Sequence, residues 1–190
     1  MVRPLELGPR KEKPVRALVF GRMLVGVLLM LWFSMLAACA TTSVRESVGP
    51  KADRIVVVKS ARTMTLLRSD QVLKTYKVAL GTEPVGAKQR SGDHRTPEGE
   101  YVIDSKNSNS RFHLALHISY PNAADRGRAQ KLGFDPGGAI MIHGLDPKFS
   151  WVGALHRRLD WTDGCVAVTN PEIEEIWSLV AVGTPVEIKP

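Results

Sequence analysis

Cysteine is scarce in this chain, with two among 190 residues. That excludes the disulfide framework that staples small secreted domains. No staple is needed, since about 150 residues can bury roughly two-thirds of the surface of the unfolded chain. Internal repeats and low-complexity segments are absent, which leaves a single domain after a leader as the expectation. No apolar run reaches the roughly 20 residues of a membrane span; Met23 to Ala38 covers only 16. Basic residues form no concentrated stripe, Arg157-Arg158 being only a pair, so nucleic acid is not an expected partner.

The formal charge of +7 overstates the basicity of the domain. Residues 1–38 hold six Lys/Arg (Arg3, Arg10, Lys11, Lys13, Arg16, Arg22) and two acids, Glu6 and Glu12; without them 20 basic and 17 acidic residues remain, or +3. The order of that segment is informative. Basic residues come first, then the apolar run, then small residues, as in an export signal. Leu36-Ala37-Ala38-Cys39 resembles the lipobox of bacterial lipoproteins. The resemblance implies a signal peptide over 1–38 and a diacylglycerol on the Cys39 thiol. The bland alternative is an uncleaved anchor helix with Cys39 unmodified. Both place the domain outside the cytoplasm on a membrane. Ala40, in the absence of an acidic residue after the cysteine, implies periplasmic exposure with a lipid anchor in the outer membrane.

Residues 39–53 read as a polar tether, and the domain as 54–190. Ile55-Val56-Val57-Val58 is β-branched and strand-like. Thr63 to Leu67 and Val72 to Leu80 flank a Ser69-Asp70 turn. Gly81 to Gly99 is a loop rich in glycine, proline and charge. Tyr101-Val102-Ile103, Phe112 to Ser119, Ala139 to His143 and Val166-Ala167-Val168 supply further strands. Residues 123–132 suggest a helical turn, and Lys148 to Thr162 a long connection. One helix is clear: Asn170 suits an N-cap, Pro171 the first turn, and Ile173, Ile176, Trp177 and Val180 share one face. After the stop at Gly183, Pro185 to Ile188 forms a last strand. The fold class is mainly β, with one or two packed helices.

Once Cys39 carries lipid, Cys165 has no partner in the chain. A free thiol in an oxidising compartment calls for burial or a chemical purpose. A thiol becomes a nucleophile on losing its proton, which a neighbouring histidine can take. His143 ends one apolar strand and Cys165 begins another. Adjacent strands lie about 4.8 Å apart, which brings imidazole and thiol within reach of each other. Gly144 and Gly164 allow tight turns and close substrate approach. Backbone N–H groups around Asp163, Gly164 and Cys165 can point at an oxyanion.

Two features extend this pair. One is His143-Gly144, a long loop, then Thr162-Asp163-Gly164-Cys165-Val166-Ala167-Val168-Thr169-Asn170. The other is Gly92-Asp93-His94-Arg95-Thr96-Pro97-Glu98-Gly99-Glu100-Tyr101, followed by Ile118-Ser119-Tyr120-Pro121-Asn122. Together they resemble L,D-transpeptidases with the YkuD-type catalytic domain, over about Arg54 to Lys189. The resemblance implies a β-sandwich or barrel-like fold, no cofactor, and peptidoglycan stem peptides as substrate. It implies Cys165 as nucleophile, His143 as base, and an oxyanion site at Asp163 and Gly164. A thioester then passes its acyl group to the amine of another stem, to a lysine-bearing envelope protein, or to water. The last makes the chain a carboxypeptidase or hydrolase of stem-peptide links. A non-catalytic wall-binding lipoprotein is the reading of another class. One departure stands out: Asp163 occupies the place where the commoner motif has histidine before Gly-Cys. The carboxylate could orient His143, hold a substrate ammonium, or raise the thiol pKa. The orienting partner of His143 is expected to be a backbone carbonyl or a residue beside Gly144.

Substrate contacts are expected from Gly144, Arg157, Trp161, Thr162 and His117. His113 and His117 are spaced as zinc ligands only on a helix; on a strand they sit about 13 Å apart, so no metal site is expected. His94 and His156 read as surface loop residues.

Overall fold

The computed structural model describes residues 51–190. The leader, Cys39 and most of the tether lie outside the described residues. Ala52 is buried, and its N–H donates to the Leu179 carbonyl at 2.8 Å.

Eight strands follow in chain order: β1 Arg54–Val58, β2 Thr63–Arg68, β3 Gln71–Lys77, β4 Gly99–Ser110, β5 His113–Ile118, β6 Met141–His143, β7 Val166–Ala167 and β8 Pro185–Lys189. Helix α1 spans Ala123–Leu132 and α2 spans Asn170–Leu179, with a 3-10 segment at Pro147–Arg158 between them. The strand order is β3-β2-β1-β8-β4-β5-β6-β7. β4 is the long strand that joins the two halves. Gly99 to Val102 pair with β8, and Ile103 to Ser110 pair with β5.

The sheet curls until its two ends meet. Beyond β3 the chain continues through Val78-Ala79-Leu80, and Ala79 exchanges both backbone hydrogen bonds with Ala167 of β7, at 3.0 and 2.8 Å. Closure of this kind leaves no long edge near the end of β7. β1 shows why the residues choose this form. Ile55 and Val57 are fully buried while Val56 and Val58 are half-buried, the period of two of a strand with one face on the core. Met64, Leu66, Ile103, Leu116, Ile118, Ile142 and Val166 complete that core from the other strands.

Helix α2 closes one end. Ile173, Ile176 and Val180 are buried and Trp177 packs at the margin, the apolar face that the spacing predicts. The cap differs by one residue. Thr169 is the N-cap, and Glu172 accepts from its N–H at 2.9 Å and its hydroxyl at 2.7 Å. Asn170 is thereby free for a tertiary role, and its Oδ1 accepts from the Leu145 N–H at 2.6 Å. The start of α2 is thus tied to the chain just after His143. The Lys148 to Thr162 connection also has more regularity than its composition suggests, because two short 3-10 turns meet at Gly153, whose φ of 52° requires glycine.

Candidate active site

β6 and β7 run parallel, with Ile142 opposite Val166 and His143 opposite Ala167. This register puts Cys165, one residue before β7, beside the start of β6. His143 and Cys165 both face a groove of about 760 Å³, walled by Phe112, Leu145, Leu155 and Trp161. A volume of that size suits a small-molecule or peptide segment.

His143 is 3% exposed. Its Nδ1 lies 2.6 Å from the Gly144 carbonyl oxygen. A carbonyl only accepts, so Nδ1 carries the proton and Nε2 presents its lone pair. The Phe112 ring stacks on the imidazole at 4.4 Å, and Trp161 meets it edge-on at 5.8 Å. Burial holds the imidazole pKa below its ordinary value, and the Gly144 bond only partly opposes that. Gly144 itself cannot carry a side chain here. An added Cβ would lie 2.6 Å from Asn170 Oδ1 and 2.9 Å from Ile173. Gly144 therefore acts through its carbonyl and its lack of bulk, and does not line the groove.

Cys165 is half-buried and free. Its Sγ sits 3.6 Å from the Ala139 carbonyl, to which the thiol donates. Burial pushes the thiol pKa up; the Met141 N–H opposes this, the Asp163 charge adds to it, and Lys88 opposes it. Both shifts favour the neutral forms, thiol and imidazole.

The turn before Cys165 is built by Thr162, a buried residue. Its Oγ1 accepts from the Gly164 N–H at 3.1 Å and donates to the Cys165 carbonyl at 2.8 Å. That occupies the Gly164 donor. The N–H groups of Asp163 and Cys165 have no backbone acceptor among the described residues and remain for an oxyanion. Behind the turn, Thr162 exchanges backbone hydrogen bonds with Leu80 and Thr82, and Asp160 accepts from the Leu80 N–H while pairing with Arg62. A Cβ on Gly164 would lie 2.5 Å from the Arg95 carbonyl, and one on Gly81 would lie 2.0 Å from the His94 carbonyl. The Asp93-to-Thr96 stretch is thus wedged against the turn before Cys165.

The other residues named from sequence fall on both sides of this boundary. Trp161, Thr162 and Asp163 line the groove. Arg157 does not; its guanidinium pairs with Glu172 in the α2 cap, and Arg158 takes the place on the groove wall. His117 also stands away, with Nδ1 2.6 Å from Asp104 Oδ1. His113 lies on the same strand and pairs with Glu174 at 2.7 Å. Asp163 does not orient His143. Its Oδ1 meets His94 Nδ1 at 2.8 Å. His156 is no surface residue either; it is buried, and its Nδ1 accepts from Trp161 Nε1 at 3.3 Å. Phe112 and Asn170 support the site through contacts that local reading passes over, Phe112 on His143 and Asn170 on Leu145, because each acts on a segment dozens of residues away.

Comparison with known proteins gives a consistent picture. A family model described as the L,D-transpeptidase catalytic domain, YkuD, matches residues 52–188. A curated protein of Escherichia coli (strain K12), "Putative L,D-transpeptidase YafK", is 33% identical over 132 residues, covering 66% of this chain and 46% of its own. The chain thus spans about half the length of the curated relatives it matches. Among solved structures, the helical cell shape determining protein Pgp2 (K307A mutant) from Campylobacter jejuni superposes with a TM-score of 0.57 at 23% identity, over 74% of this chain and 48% of that one. Bd1075 of Bdellovibrio bacteriovorus does so with a TM-score of 0.50 at 22% identity, over 73% and 47%. At these identities the structures show a shared fold.

Proposed function

Because the chain belongs to the YkuD family of L,D-transpeptidase catalytic domains, we propose that it modifies peptidoglycan by acyl transfer through a thioester on Cys165. One observation carries this reading: His143, its Nδ1–H anchored on the Gly144 carbonyl, shares an open groove with the chain's free thiol.

This reading has the following steps. A stem peptide occupies the groove with its scissile carbonyl over Cys165. The thiol swings from the Ala139 carbonyl toward His143 Nε2 and gives up its proton as Sγ attacks. Such bonds often tighten only when substrate is bound. The N–H groups of Cys165 and Asp163 meet the oxyanion, each donor supplying about 3–4 kcal/mol of the barrier reduction typical of acyl transfer. The C–N bond breaks, the imidazolium returns its proton to the leaving amine, and the thioester remains. An amine then takes the acyl group and restores the thiol. Water in that place yields a shortened stem. The same reading includes export of the domain, with lipid on Cys39 holding it to a membrane.

The test is to incubate the soluble domain with a purified disaccharide-tetrapeptide and follow mass. A protein adduct lost in Cys165→Ala, with cross-linked dimer or shortened monomer as product, supports the reading. Wild-type protein that forms no adduct with this substrate or with a carbapenem at any pH from 6 to 9 refutes it.

A further inference from the structure

A second cleft opens beside the turn that precedes Cys165. It is smaller, about 280 Å³, and polar, lined by Lys88, Ser91, His94, Gly137, Gly138 and Asp163. Asp163 belongs to both the groove and this crevice. Gly138 precedes Ala139, whose carbonyl holds the Cys165 thiol. The crevice therefore borders the two segments that hold Cys165, the turn at Asp163 and the approach to β6 at Gly138, while Cys165 itself lines the groove.

Within the crevice, His94 and Asp163 form a carboxylate–imidazole dyad, with Nδ1 2.8 Å from Oδ1. A carboxylate accepts, so Nδ1 carries a proton, and Nε2 is the ring nitrogen that faces away from Asp163. Nε2 has no hydrogen-bond partner among the described residues, and the ring is half exposed. Its placement is built in. The His94 backbone is wedged against Gly81 and that of Arg95 against Gly164, while Lys88 braces the loop through Asp93 at 2.7 Å. The loop thus holds the ring by its own backbone contacts with the nucleophile turn. His143, by contrast, sits in the apolar groove with Phe112 and Trp161 around it.

We propose that His94, oriented by Asp163, is the general base for the acyl acceptor, and that the acceptor reaches the thioester through the polar crevice. The inference rests on the acyl-transfer reading above. In this step the acceptor, an amine or water, enters beside His94 Nε2. Its N–H or O–H proton passes to Nε2 as its lone pair attacks the thioester carbon. The new C–N or C–O bond forms, the C–S bond breaks, and the electron pair leaves on Sγ. The thiolate is reprotonated by the proton on His94, which restores both groups. His143 serves the first half of the cycle and His94 the second. Aspartate in the place of the commoner histidine before Gly-Cys then has a function: it fixes the tautomer of a base supplied by another loop.

The experiment separates the two half-reactions in full-length protein. Acylation is followed by intact mass at short times with disaccharide-tetrapeptide, and deacylation by decay of the adduct. His94→Gln keeps a donor to Asp163 and removes the base. General-base catalysis contributes about 10²–10⁴-fold, so deacylation should fall by about 100-fold with acylation unchanged, and the adduct should accumulate. Asp163→Asn, at an exposed side chain, leaves the fold intact and should slow deacylation less, in the same half-reaction. Hydroxylamine, a nucleophile already unprotonated at neutral pH, should discharge the accumulated adduct at the wild-type rate. Equal losses in both half-reactions, or no loss in either variant, overturn the proposal and leave the Cys165 thioester standing. Absence of any adduct in the wild type sinks the acyl-transfer reading and this inference with it.

Discussion

Replacing Thr162 by valine tests whether one hydroxyl builds the turn before Cys165. The two side chains have nearly the same shape, so packing is conserved. What is lost is the pair of bonds from Oγ1, one to the Gly164 N–H and one to the Cys165 carbonyl. A buried polar group left without a partner costs about 1–3 kcal/mol. Two at once predict a loss of roughly 2–5 kcal/mol, a large share of the about 5–15 kcal/mol that holds a typical domain together. Thr162→Ser is the control; it keeps the hydroxyl and loses one methyl, for about 1 kcal/mol. Urea unfolding at pH 7 measures both. A second readout is the alkylation rate of Cys165, which should change in the valine variant because Cys165 is no longer pinned through its carbonyl. If the valine and serine variants unfold within about 0.5 kcal/mol of each other, close to the ±0.5 kcal/mol of an ordinary surface substitution, the hydroxyl does not organise the turn and the reasoning fails.

Alkylation of Cys165 by iodoacetamide should climb steadily from pH 7 to 9, since burial raises the thiol pKa and thiolate forms only in the alkaline range; a plateau between pH 6 and 8 would reveal a resting thiolate–imidazolium pair instead. Gly164→Ala should destabilise by roughly 2–5 kcal/mol, from a clash of about 1–3 kcal/mol and backbone strain of about 1–3 kcal/mol, because φ is 118° and the Arg95 carbonyl lies 2.5 Å from the new Cβ. Gly183→Ala, with φ at 92° and nothing within 4 Å, should show the strain alone, and equal losses at the two sites would remove the close-approach argument. His156, with a pKa held down to about 4 by burial first and Arg157 second, stabilises the fold fully above the unfolded value near 6.5. That contribution, up to about 3 kcal/mol, should be lost as pH falls from 6.5 to 4 and level off below; urea midpoints across this range that do not fall, or that fall as steeply in His156→Gln, would contradict it.

Much of this protein is legible from local chemistry. Strand alternation in β1 and the apolar stripe of α2 each follow from a period within one element, so ten neighbouring residues suffice to find them. The motif around Cys165 and the His143-Gly144 pair are equally local, and they pointed to the family. Contacts across the sheet could not be read this way. Arg157 precedes a turn that aims it at Glu172, and His117 faces Asp104 across β4 and β5, so both leave the groove that their charge suggested. His94 is the exposed loop residue that its sequence suggests, but only the curled sheet brings the backbone of its loop against Gly81 and Gly164.

Sequence alone therefore determined the fold class and the family, and it proposed the sulfur of Cys165 and the imidazole of His143 as the candidate pair, because each is encoded in short spacings. Tertiary structure alone decided what orients that imidazole, which backbone donors remain free, and where Asp163 points. Those depend on hydrogen bonds and atomic contacts between segments brought together by closing the sheet. No spacing along the chain records them.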